Sequence, residues 1–185
     1  MSELNARDYL EKSIDKIKHK DDMTLSACER LKTVLSLKKY PRRIECYDIS
    51  HVSGVDKVGS MVVFIDGVKS PDDYRRFRIK TVDGNDDFAS LREVLARRIE
   101  RLKSDAERFP KPDLILIDGG KGQLSAVAGI FEKEGVADID LISIAKQQEE
   151  IFTLNGEAPV VLERRDYCLR LLQRLRDEAH RFAIT

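Results

Sequence analysis

The chain has 185 residues, 42% of them hydrophobic, which is enough for a core in one domain of ordinary size. Its 33 basic and 33 acidic side chains cancel, which excludes a polyelectrolyte tail but not a local basic face. The sequence shows no membrane-length apolar stretch and no signal-like N-terminus, and its three cysteines are scattered, so we expect a cytoplasmic protein with reduced thiols.

Two amphipathic helices are predicted at the start of the chain. The first covers residues 3–20 and the second residues 24–38, each with apolar residues at helical spacing. The string KKYPRR then interrupts the pattern, because proline disfavours a helical residue before it. We therefore predict a helical connector over residues 1–40 and a main domain over residues 41–185.

The main domain opens with three predicted strands. RIECYDIS alternates apolar and polar residues, KVGSMVVFIDG ends in the turn pair Asp66-Gly67, and YRRFRIKTV alternates arginines with Phe77 and Ile79. Because the two connections are short, the strands should form an antiparallel meander.

After the third predicted strand, the spacing of apolar residues changes from the alternation of a strand to the period of a helix. Helical spacing from Asn85, with NDD as cap and acidic first turn, is followed by the buried strand DLILID, a helix and a second buried strand, IDLISIAK. A hairpin around Asn155-Gly156 and a last helix from about Asp166 complete the order. This order predicts an α/β fold with a mixed sheet and helices on both of its faces.

Two carboxylates mark a candidate site. Asp48 lies late in the first strand and Asp118 ends the fourth, so adjacent strands would bring both to one edge of the sheet. Two close carboxylates repel each other, and a bound Mg²⁺ or Mn²⁺ is the usual relief. Gly119 and Gly120 would let a substrate backbone approach, and the helix after them suits a phosphate.

Each candidate also has a plainer interpretation. Asp118 is about equally well explained as a helix cap, Asp48 as a solvated strand end, and Asp87 as a first-turn carboxylate facing the helix dipole. A histidine such as His180, on the flank of its helix stripe, is more often a surface residue than a ligand. The string GGKGQ lacks the spacing of a nucleotide-binding loop, so ATP binding is not expected.

Several long strings in order identify a family resemblance: RIECYDISHVSG, VGSMVVFIDG, YRRFRIKTV, GNDDFASLREVLARR, PDLILIDGGKGQL and LLQRLRDEAHRFAIT. Together they closely resemble the C-terminal half of the UvrC family, the endonuclease subunit of bacterial nucleotide excision repair. The resemblance runs from Arg43 to Thr185, and NARDYLEKS resembles the preceding connector. It implies an RNase H-like mixed five-stranded sheet flanked by helices, with an N-terminal helical segment and a small extra hairpin.

The resemblance also implies a function. In this family a metal-dependent Asp-Asp-His site cuts DNA 5′ to a lesion, and the motifs assign Asp48, Asp118 and His180 to it, as ligands of Mg²⁺ or Mn²⁺. Asp87 matches an acidic position that supports the same incision. The implied partners are damaged double-stranded DNA and UvrB, the latter mainly through family segments that this chain lacks. We therefore take the chain to be an excised, monomeric domain.

Basic residues near these motifs are candidate phosphate contacts on a nuclease, although such residues usually form a solvated face. The set comprises Arg76, Arg78, Arg97, Arg98 and Lys121. The alternative to a nuclease is a catalytically weak DNA- or partner-binding module on the same fold. The complete set of Asp48, Asp118 and His180 favours the nuclease, because a degenerate binder need not keep it.

Overall fold

The computed structural model of the chain describes residues 3–52, 56–81, 84, 86–156 and 158–185. Within these ranges the α-helices are α1 (Glu3–Met23), α2 (Leu25–Val34), α3 (Asp87–Ser104), α4 (Lys121–Lys133) and α5 (Tyr167–Ala183). The strands are β1 (Arg43–Val52), β2 (Asp56–Ile65), β3 (Val68–Lys69), β4 (Arg75–Arg78), β5 (Leu114–Asp118), β6 (Asp140–Ile144) and β7 (Ile151–Thr153).

The strands form one mixed sheet, as predicted. Its order is β3-β2-β1-β5-β6-β7, and β4 also pairs with β2. β1 is antiparallel to β2 and parallel to β5, which is parallel to β6. The predicted meander is present, since β4 pairs antiparallel with β2. The carboxyl ends of β1, β5 and β6 therefore lie at the same edge of the sheet.

The strand count differs from the five that were predicted, because the described residues form seven strands. Asp66 and Gly67 both have positive φ, so the chain turns back sharply and Val68–Lys69 pairs with the end of β2. The segment predicted as a separate hairpin instead adds β7 to the edge of the sheet, next to β6. Its return arm is reduced to a bridge between Ile151 and Val160.

Helices cover both faces of the sheet. α5 contacts Asp48 and α3 contacts Glu45, and residues an odd number apart on a strand point to opposite faces. β6 is buried along its whole length and β5 along all but its last residue, Asp118. The fold thus buries most of β5 and β6 and leaves the carboxylate of Asp118 at the tip of β5.

The two N-terminal helices differ in how they pack. α2 buries Cys28, Leu31 and nearby residues in the same core as the sheet. None of the residues of α1 is buried, and its predicted apolar side is exposed at Leu10, Ile14 and Ile17. The division at residue 40 stays a prediction. Among the described helices, none is both long and apolar enough to cross a membrane.

Candidate active site

Asp48 and Asp118 lie on adjacent parallel strands, at the edge where the sequence predicted them. The register pairs Tyr47 with Ile117, so Asp48 and Asp118 follow the last paired residues. Both line a cavity of about 330 Å³, together with Asp87 and the two glycines that follow β5. This arrangement places three carboxylates from three elements around one small space.

Asp118 is largely buried at the end of β5. Its side chain is 10% exposed, and Oδ2 lies 3.3 Å from Nζ of Lys146. Its Oδ1 is buried and has no hydrogen-bond partner among the described residues. Burial raises the pKa of Asp118 above its usual value, and the charge of Asp48 raises it further, while Lys146 works in the opposite direction.

Asp48 is held from two sides. The hydroxyl of Ser50 donates a hydrogen bond of 2.6 Å to Oδ2 of Asp48, and Nδ1 of His180 lies 3.8 Å from the same oxygen. Ser50 lies two residues further along β1 and so points to the same face of the sheet as Asp48. The carboxylate is 11% exposed, so the strand and the serine fix its orientation.

His180 reaches Asp48 because of how α5 packs. Its helix buries Leu172, Leu175 and Ala179 against the sheet, and His180 follows on the flank of that stripe. The imidazole is 64% exposed, which leaves it open to solvent and to a substrate. The sequence placed His180 at the site only by family resemblance; the structure brings it to within contact distance of Asp48.

Asp87 begins α3, and the predicted cap is present at Asp86, whose side chain accepts a hydrogen bond from the backbone N–H of Ala89. Oδ1 of Asp87 lies 3.8 Å from Nζ of Lys57, a side chain of β2 that is 6% exposed. The buried lysine also donates to the hydroxyl of Ser90 at 3.5 Å. Lys57 thus orients Asp87 at the rim of the cavity.

The turn from β5 into α4 depends on Gly119. Its φ of +149° favours glycine, and a Cβ there would lie 1.2 Å from Oε1 of Gln123. Gln123 packs in this space and lines the cavity, and its Oε1 has no partner among the described residues. The positive φ at position 119 therefore favours a residue without a side chain.

Sequence reasoning missed Gln123 and Lys146. Lys146 is the last residue of the predicted strand IDLISIAK, and its position at the end of a buried strand was the available signal. Gln123 gave no signal, because a glutamine in the first turn of a helix is ordinary. Both residues line the cavity with Asp118.

The donor set fits a divalent cation in part. Within the described part of the chain, no group of three His, Cys, Asp or Glu is close enough to hold an ion. The two unpartnered acceptors, Oδ1 of Asp118 and Oε1 of Gln123, nevertheless lie at one cavity, and hard oxygen ligands suit Mg²⁺ or Mn²⁺. Asp48 and Asp118 are the residues that would hold it.

The prediction that Arg98 contacts a DNA phosphate is wrong. Its side chain is 2% exposed and donates to both oxygens of Glu45, at 3.1 and 2.8 Å. The helical position of Arg98 lies on the buried stripe of α3, beside Ile99 and Leu95. An arginine enclosed in this way cannot contact a DNA phosphate.

The other predicted basic residues lie outside the cavity lining. Arg76 is exposed, but its guanidinium donates to the carbonyl of Phe182 and to Thr185 at the end of α5. Arg78 is 72% exposed and pairs with Asp56, and Arg97 donates to the carbonyl of Arg78. Lys121 is the exposed first residue of α4. Contact with DNA phosphates therefore stays a prediction for Arg76, Arg78, Arg97 and Lys121.

The family model of the UvrC RNAse H endonuclease domain matches residues 32–184. The chain belongs to this family. Relatives agree: UvrABC system protein C of Solibacter usitatus is 55% identical over 85% of this chain, and that of Gemmatimonas aurantiaca is 45% identical over 100% of it. The family's RNase H architecture agrees with the observed mixed sheet.

The UvrC relatives are much longer than this chain, which spans 25% of the length of the first and 30% of the second. Among solved structures, that of human ENDOV covers 84% of this chain and 94% of its own, at 13% identity and a TM-score of 0.45. That similarity is too low to carry an argument about function.

Proposed function

We propose that this UvrC domain hydrolyses a phosphodiester bond of DNA as a metal-dependent endonuclease, making the incision 5′ to a lesion in nucleotide excision repair. One observation carries the proposal. Asp48 on β1, Asp118 on β5 and His180 on α5 are far apart in the sequence and come together at one edge of the sheet. A solvated strand end or a helix cap would not require this convergence.

Asp48 and Asp118 are the proposed ligands of a Mg²⁺ or Mn²⁺ ion. Asp118 supports this role because burial raises its pKa and because one of its oxygens has no partner in the described structure. In a site that binds no ligand, a buried carboxylate oxygen normally has a hydrogen-bond partner within the protein. A bound divalent ion supplies an activated water and stabilises the charge that develops on the phosphate.

The remaining groups orient the reaction. Ser50 fixes the carboxylate of Asp48, and His180 is placed to hold a ligand position or to accept a proton from water. The exposed imidazole can exchange that proton with solvent. Asp87, held by Lys57, adds a third negative charge at the cavity. Gly120 leaves open space at the start of α4, where a phosphate oxygen can approach the backbone.

The wider assignments follow from the same proposal. The substrate is damaged double-stranded DNA, and Arg76, Arg78, Arg97 and Lys121 contact its phosphates outside the cavity. UvrB is the proposed protein partner. The domain itself is a monomer and works in the cytoplasm. The name of the relatives, UvrABC system protein C, supports the assignment to that system.

A plasmid nicking assay tests the proposal. The wild-type chain should nick supercoiled DNA with Mn²⁺ and not with EDTA. Asp48→Asn should slow nicking by about 100-fold or more, because it removes an anionic ligand worth several kcal/mol to the transition state. Asp138→Asn is the matched control, since Asp138 is an exposed aspartate that pairs with Lys111 away from the cavity. Nicking by Asp48→Asn at the wild-type rate would refute the proposal.

A further inference from the structure

Lys146 is a cation that reaches into the site from the third parallel strand. It follows β6 by two residues, at the same edge as Asp118. Its Nζ lies 3.3 Å from Oδ2 of Asp118, while its side chain is 68% exposed. A lysine with a flexible stem and an exposed ammonium can keep this contact or leave it at little cost.

The loop that carries Lys146 is fixed at both ends. The backbone N–H of Ala145 donates to the carbonyl of Glu150 at 2.9 Å, which closes the loop. The guanidinium of Arg176, on α5, donates to the carboxylate of Glu149 at 2.8 Å. Arg176 and His180 lie one turn apart on α5, so the same face of this helix holds the loop and contacts Asp48. The backbone of Lys146 is therefore positioned with the rest of the site.

The contact places Lys146 in competition with a divalent ion. Both are cations, and both would use the carboxylate of Asp118. With Asp118 engaged by such an ion, the ammonium of Lys146 would lose its partner and its charge would remain beside the cavity. The nearest anion brought there by the proposed reaction is the phosphate of the DNA backbone, and a lysine ammonium binds phosphate oxygens well.

We propose that the ammonium of Lys146 pairs with Asp118 in the ion-free site. Once Asp118 holds the divalent ion, the same ammonium pairs instead with a phosphate oxygen of the DNA. This inference rests on the proposed function, because it needs both the ion and the phosphate. It assigns Lys146 as a further substrate-contact residue, and the loop of residues 145–150 as the element that presents it.

Two readouts test the assignment on the wild-type chain, Lys146→Met and Lys146→Arg. In calorimetric titration with MnCl₂, Lys146→Met should bind the ion about 2- to 5-fold more tightly than the wild type. The reason is that the ion no longer displaces the ion pair between Lys146 and Asp118, and a surface ion pair contributes a free energy of that size. In plasmid nicking with saturating Mn²⁺, the same variant should be at least about 10-fold slower. Lys146→Arg keeps the charge, so it should stay near wild type in Mn²⁺ affinity and retain most of the nicking rate.

Lys111→Met is the matched control, because it removes a lysine from an exposed ion pair with Asp138, away from the cavity. It should change neither readout. If the wild type binds Mn²⁺ and nicks DNA while Lys146→Met equals it in both, the role of Lys146 is refuted and the proposed function stands. If the wild type neither binds Mn²⁺ nor nicks DNA, the proposed function fails, and the role of Lys146 fails with it.

Discussion

At the scale of single residues, Asp118 shows a conflict between stability and function. Burial raises its pKa, so the folded protein resists ionisation of this carboxyl more than the unfolded chain does. The stability that this group contributes is therefore fully present below the unfolded pKa and is lost as pH rises through the higher folded value. Above that folded pKa, the protein carries a buried carboxylate whose charge Lys146 compensates only in part.

Asp118→Asn should consequently stabilise the protein while removing nicking activity. A buried polar group without full compensation lowers the free energy of unfolding by roughly 1 kcal/mol or more. The unfolding temperature of Asp118→Asn at pH 7 should therefore lie about 2–4 °C above that of the wild type. The gain should shrink as the pH is lowered through the pKa of Asp118, where the wild-type carboxyl becomes neutral. Asp138→Asn serves as control and should leave the unfolding temperature nearly unchanged. A lower unfolding temperature for Asp118→Asn at pH 7 would contradict this account.

At the scale of elements, α3 is joined to β1 by a buried ion network. Arg98 donates to Glu45, which also accepts from Arg43 at 2.9 Å and from the hydroxyl of Tyr47 at 2.7 Å. Glu45 is fully buried, so its charge depends on these partners. The network lies on the face of β1 opposite to Asp48 and supports the strand that carries it.

Arg98→Met should therefore destabilise the fold by about 3 kcal/mol, because it leaves a buried carboxylate with one charged partner fewer. Lys103→Met on the same helix is the control: Lys103 is 48% exposed and pairs with Glu134, which is 41% exposed, and such a surface pair is worth at most about 1 kcal/mol. Urea unfolding of both variants measures the difference. Equal losses in the two variants would mean that the network contributes no more than a surface ion pair.

Arg97 and Arg98 also show where sequence reasoning stops. Adjacent arginines look alike in the string LARRIERLK, and the helical period places only one of them on the buried stripe. The buried stripe of α3 includes Leu91, Leu95 and Ile99, and the charged residue inside it was interpreted as a surface residue. The partner, Glu45, is 53 residues away in the sequence, so only the tertiary structure reveals the pairing.

At the scale of the whole molecule, the order of the strands explains why the two site carboxylates could be placed together from the sequence. Buried parallel strands end at one edge, so Asp48 and Asp118 were placed together from their positions alone. The extra strand β3 was missed because it is only two residues long, and β7, predicted as an arm of a separate hairpin, instead pairs with β6 at the edge of the sheet. Lys146 was missed as a site residue because it lies in an irregular loop, where no periodicity gives the direction of a side chain. The approach of α5 to Asp48 likewise depends on packing that no local pattern specifies.

If β1, β5 and α5 assemble one hydrolytic site, the nicking rate of His180→Ala reveals it, because this variant removes one of the three side chains that meet there. The rate should fall by about 10²- to 10⁴-fold, the usual contribution of a positioned acid–base group, while circular dichroism and unfolding temperature stay unchanged because the side chain is 64% exposed. His19→Ala, on α1, should nick at the wild-type rate. A His180→Ala variant that folds normally and nicks as fast as wild type would contradict the account.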